Sequence, residues 1–125
     1  MKSAKDFLAE ANAVVPRITG EEAVGHYGED NTVFIDVRDS SDIAKTGTIR
    51  GALRIPRGFI EFAADDTTPH HQDVLSRDKE IYLICAAGGQ AALAGKTLHD
   101  MGYGKVTNIG GIAEWKEAGG AMDDA

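Results

Sequence analysis

Two short runs, Val33-Phe34-Ile35-Asp36-Val37 and Glu80-Ile81-Tyr82-Leu83-Ile84, are almost continuously apolar and rich in β-branched or aromatic residues. Continuity rather than alternation marks strands covered on both faces, so both runs are predicted to be central in a sheet. Leu53-Arg54-Ile55, ended by Pro56, and residues 105–109 supply two further strands, and residues 17–19 a short edge strand. The segments between them carry helical spacing. Phe7, Leu8, Ala11, Val14 and Val15 share one helical face behind Ser3, and Thr19 followed by Glu22 forms a capping box that opens a helix to about His26. Residues 40–45 read as a short helix stopped at Gly47, and Phe59, Ile60 and Ala63 give helical spacing within residues 57–64. Ala91, Ala94, Leu98 and Met101 form a stripe closed by Gly102, while Gly110-Gly111 leads into Ile112, Trp115 and Gly119. Residues 65–79, with Pro69 and the pair His70-His71, carry no period and are predicted to form a surface excursion. Strands separated by helices imply right-handed crossovers, hence an α/β fold with a largely parallel central sheet of about five strands and helices on both faces.

Composition agrees with a folded chain. At 125 residues, 42% hydrophobic and 26% charged, it suits one domain over residues 1–125, with a short acidic tail from about residue 119, and it disfavours disorder or coiled coil. The formal net charge of -7 opposes binding to nucleic acid or anionic membranes. That field also repels small anions, so an anion site here needs strong local donors. Asp6 and Glu10 interrupt the apolar residues of the first segment, which leaves no signal peptide or membrane span in view and makes a cytoplasmic location the expectation.

The single cysteine, Cys85, excludes an intramolecular disulfide and a cysteine-rich metal cage. It closes a predicted central strand immediately before a helix, the end of the sheet where α/β proteins gather ligands. The small residues Ala86, Ala87, Gly88 and Gly89, with Gln90, allow the backbone to curl so that successive N–H groups face inward. Such a cradle, backed by a helix N-terminus, stabilises a negatively charged sulfur and makes a nucleophile of the thiol without a metal or cofactor. A lone cysteine ending an apolar strand also suits plain core packing. The conjunction of strand, cysteine, small-residue loop and helix start places the chemical role ahead.

At four ordered places the chain is similar to one known family. Val33-Phe34-Ile35-Asp36-Val37-Arg38 is similar to the family's strand ending in Asp-Val-Arg, and Gly47-Thr48-Ile49-Arg50-Gly51-Ala52 stands where Gly-His-Ile-Pro-Gly-Ala is common. The six-residue active loop falls on Cys85-Ala86-Ala87-Gly88-Gly89-Gln90, and Gly110-Gly111-Ile112-Ala113-Glu114-Trp115 resembles the closing Gly-Gly-x-x-x-Trp signature. On these motifs the chain resembles the rhodanese family of sulfurtransferases, which implies a three-layer α/β rhodanese-like fold and ping-pong transfer of sulfane sulfur. A Cys85 persulfide would form from thiosulfate or another persulfide and pass its outer sulfur to a thiol, a cyanide-like acceptor or a protein acceptor. Ala86, Ala87, Gly88, Gly89 and Gln90 would bind substrate through their N–H groups, and Asp36 and Arg38, at the neighbouring strand end, would orient the pocket from behind.

Two departures stand out. Thr48 replaces the usual histidine at a position distant from the implied sulfur, and Gln90 stands where active members often carry arginine. A charge-assisted hydrogen bond contributes about 1.5–3 kcal/mol, so the second change predicts weak activity with dianionic thiosulfate. Arg57, after a strand end, reads as a solvated first-turn residue. The alternative is a rhodanese module without turnover that binds a protein or senses sulfur and oxidants. A dual-specificity phosphatase needs one more loop residue and then an arginine, where Ala91 stands. A cysteine protease needs an oriented histidine, and His26, His70, His71 and His99 offer no such context; His70-His71 read as an exposed pair, with no metal.

Overall fold

Ser3 begins the first helix by accepting from the Asp6 N–H at 3.2 Å while the Asp6 carboxylate accepts from the Ser3 N–H at 2.9 Å. Helix α1 (Ala4–Val14) follows, and an equivalent box of Thr19 and Glu22 opens α2 (Gly20–His26). The computed structural model describes residues 1–124. In chain order come β1 (Thr32–Asp36), α3 (Ser40–Thr46), β2 (Thr48–Ile49), β3 (Leu53–Arg54), a 3-10 turn (Arg57–Phe59), α4 (Ile60–Ala64) and β4 (Glu80–Cys85). α5 (Gly89–Asp100), β5 (Val106–Gly111), α6 (Ile112–Glu117) and β6 (Met122–Asp123) complete the order.

The main sheet has four parallel strands in the order β3-β1-β4-β5, and a parallel bridge of Arg17 to Asn108 extends it beyond β5. Both predicted central strands are central. Their side chains alternate between two apolar layers. Val33, Ile35, Val37, Ile81, Leu83 and Cys85 face α4 and α5, whereas Phe34, Tyr82 and Ile84 face Ala23 of α2 and Ile112 and Trp115 of α6. Helices on both faces of a parallel sheet give the expected three-layer α/β architecture.

Helix α1 packs on α5, where Val15 approaches Gly95 so closely that a Cβ there would lie 2.9 Å from both Val15 methyl groups. Its predicted apolar face is only partly used: Ala11 and Val15 are buried, while Phe7 and Val14 are exposed. Within the excursion at 65–79, Leu75 is buried, and the Tyr103 hydroxyl beneath it donates to the carbonyl of Ala64 at 2.7 Å. The sequence pattern did not show β2 and β6, which pair antiparallel as a separate ribbon. The ribbon draws in the C-terminal residues, with Asp123 accepting from Arg50 at 3.1 Å and the Ala121 carbonyl accepting from the Trp115 indole N–H at 3.0 Å. No helix is long and apolar enough to cross a membrane among the described residues.

Candidate active site

Cys85 is the last residue of β4, and α5 begins four residues later. The turn between them is possible because Gly88 adopts φ 102°, a left-handed conformation that costs a side-chain-bearing residue strain. That turn aims peptide hydrogens at the sulfur. The Gly88 N–H donates to Cys85 Sγ at 3.0 Å, and the Ala91 N–H donates at 3.4 Å. Of the five N–H groups expected from residues 86–90, Gly88 makes this contact, and the second donor, Ala91, lies one residue beyond the anticipated loop. Ala86, Ala87 and Gln90 are exposed, and Gly89 is half-buried. Cys85 itself is only 1% exposed, so the thiol lies under its loop rather than at an open surface.

The neighbouring β5 end shapes the same turn. Asn108, buried and missed by the sequence reading, donates from its side-chain amide to the Gly88 carbonyl at 2.9 Å and accepts from the Gly110 N–H at 2.8 Å. Its backbone accepts from Ile18 at 3.0 Å and donates to Pro16 at 2.9 Å, which seats Arg17 beside the loop. The Arg17 guanidinium donates to the Ala87 carbonyl at 3.3 Å and meets Glu114 at 3.5 Å. Gly111 permits close approach of the two loops, because a Cβ at that position would overlap the Ala86 carbonyl.

Asp36 and Arg38 do not orient this pocket. Asp36 pairs in register with Ile84, one residue before Cys85, and adjacent residues of a strand face opposite sides of the sheet. The two form a buried ion pair at 2.8 Å, supported by Thr48 donating to Asp36 at 2.7 Å and by Arg38 donating to Thr46 and the Gly47 carbonyl at 2.9 Å each. They tie β1 to the turn between α3 and β2. Arg57 reaches Glu61 at 3.3 Å and Thr97 of α5 at 3.1 Å.

Residues 19–118 match the family model of the rhodanese-like domain. The chain belongs to that family. Among similar proteins, a sulfurtransferase of Allochromatium vinosum is 29% identical over 91 residues, covering 72% of this chain and 77% of the relative. The Bacillus subtilis protein YrkF, whose name describes a sulfur carrier, is 26% identical over 117 residues; the match covers 92% of this chain and 58% of YrkF, so this chain spans little more than half the length of that relative. A solved structure from Rhodopseudomonas palustris, described as of unknown function and a possible tyrosine phosphatase, superposes with a TM-score of 0.92 at 34% identity, covering 98% of this chain and 96% of the other. The polysulfide-sulfur transferase of Wolinella succinogenes superposes at 0.74 with 27% identity, covering 94% and 85%. In this rhodanese-like domain, α1 and Arg17 lie ahead of the segment that the family model matches.

Proposed function

We propose that this rhodanese-like domain carries sulfane sulfur as a Cys85 persulfide. The observation that supports this reading is the pair of peptide N–H groups, from Gly88 and Ala91, directed at Sγ where α5 begins. Donors fixed before reaction stabilise an anionic sulfur without reorganisation, and the persulfide bears the same charge as the thiolate it replaces. In the first half-reaction the Cys85 thiolate attacks the outer sulfur of thiosulfate. The new Cys–S bond forms as the S–S bond of the donor breaks, and sulfite leaves with the electron pair. In the second, a thiolate or cyanide attacks the outer persulfide sulfur and returns the electron pair to Cys85. No net redox change or external cofactor is needed.

Access to Cys85, which is buried at rest, requires its loop to yield. Gln90 leaves the loop without its own cation, which favours donors of lower charge than thiosulfate, such as persulfides. Phosphomonoester hydrolysis is disfavoured by the same feature, because residues 86–91 hold no guanidinium to clamp a phosphoryl group.

Steady-state turnover of thiosulfate to thiocyanate in the presence of cyanide tests the reading. Weak activity is expected, lost in Cys85→Ser and raised about tenfold or more in Gln90→Arg by the added charge-assisted hydrogen bond. Turnover that survives Cys85→Ser would overturn the proposal. An unchanged rate in Gln90→Arg would remove the electrostatic explanation of weak thiosulfate use.

A further inference from the structure

The loop lacks its own cation, yet a guanidinium lies against it. Several arginines stand at or near strand ends in the sequence, and their environments differ. Arg38 is 2% exposed and committed to Asp36, and Arg57 is turned toward Glu61 and Thr97. Arg17 lies next to the residue that donates to the sulfur. Its Nη2 is 3.3 Å from the Ala87 carbonyl, a Cβ on Gly88 would overlap the guanidinium, and a Cβ on Gly110 would lie 3.1 Å from Nη2.

We infer that Arg17 is the anion-selecting residue of the Cys85 site, a peripheral positive charge that offsets only part of the one absent at Gln90. The inference rests on the proposed use of Cys85 as a nucleophile and adds a source for its preference among substrates. The charge remains available to an incoming anion, because its one carboxylate partner among the described residues, Glu114, is 3.5 Å away and both side chains are 47% exposed, a geometry in which ion pairs are weak. Its location is fixed by the same residue that fixes the loop. Asn108 brackets Arg17 through backbone bonds to Pro16 and Ile18, and its side-chain amide holds the Gly88 carbonyl. Cation and sulfur cradle are thus held in register by one buried residue, Asn108, through its backbone on one side and its side chain on the other.

A net charge of -7 repels anionic donors from most of the surface, so one local cation beside the loop has a large influence on which reagents arrive. Arg17 reaches the loop rather than the sulfur itself. Its effect is electrostatic selection of the approaching group, with the proton and electron movements of transfer left to Cys85 and the substrates.

Alkylation of Cys85 by anionic iodoacetate and by neutral iodoacetamide separates this role from sulfur transfer. In Arg17→Gln the ratio of the iodoacetate rate to the iodoacetamide rate should fall about fivefold at low salt, with the iodoacetamide rate little changed. Arg17→Lys should restore much of the ratio, and Glu114→Gln should raise it by unmasking the guanidinium. An unchanged ratio in Arg17→Gln would overturn the inference. Equal loss of both rates, without recovery in Arg17→Lys, would also overturn it by showing that Arg17 only braces the loop. If the wild-type thiol reacts with neither reagent, both the inference and the proposed nucleophile fail. If the ratio behaves as described but no sulfur is ever transferred, only the sulfur-carrier function fails.

Discussion

Asp36 accepts from the backbone N–H and Nε of Arg38, each at 3.0 Å, and from Arg38 Nη2 and the Thr48 hydroxyl at 2.8 and 2.7 Å. A carboxylate that is fully buried tolerates its charge because those donors replace water. Thr48, the residue standing in the family's histidine position, is therefore part of a closed polar network. Asp36→Ala should cost about 3–5 kcal/mol in denaturant unfolding, since it leaves the Arg38 charge buried without its partner. A loss below about 1 kcal/mol would show that Arg38 escapes to solvent. The sequence made Cys85 and its loop legible because their chemistry is contiguous. The period of two along the strands also carries the information that Asp36 faces away from Cys85. Asn108 and Arg17 were not legible as site residues, since they meet the loop across 20 and 70 positions of chain with no local pattern to mark the contact.

Elements were readable where local chemistry defines their ends. Ser3 with Asp6 and Thr19 with Glu22 both form reciprocal caps, and Gly47 closes α3 at φ 76°. The two-residue strands β2 and β6 offer too little sequence for a period, and their pairing depends on Arg50, Trp115 and Gly120 coming together in three dimensions. Glycine requirements likewise separate by element. Gly111→Ala should displace the Cys85 loop, because its Cβ would overlap the Ala86 carbonyl, and should lower both stability and the alkylation rate of Cys85. Gly25→Ala in α2 meets no atom within 4 Å and should instead stabilise by about 0.5–1 kcal/mol through helix propensity. Equal melting temperatures for the two variants would contradict this account of where backbone approach is tight.

On the scale of the whole molecule, the two apolar layers place different demands on the aromatic residues. Burial pushes the Tyr82 phenol above the usual tyrosine value near 10.0, with Glu80 and Glu29 adding to the effect. Burial likewise raises Tyr103, partly offset by Arg77, whose guanidinium lies 5.4 Å from its ring. Both groups favour the protonated form more in the folded than in the unfolded chain. Their contribution to stability is therefore complete below about pH 10 and is lost as pH rises through the folded-state values. Alkaline titration should show phenolate absorbance from these two tyrosines appearing late, together with declining stability above pH 10. Ordinary titration with unchanged stability would contradict the packing around them.

One sulfur atom lies under two peptide donors, and its capacity to carry a second sulfur can be read directly. Intact-mass spectrometry of the protein after exposure to thiosulfate or a small persulfide, followed by removal of excess donor, tests it directly. One added sulfur is expected on the wild-type chain, removed by a thiol reductant and absent from Cys85→Ser. No added sulfur with either donor, or an adduct that persists in Cys85→Ser, would contradict it and favour a rhodanese-like module that binds a partner without carrying sulfur.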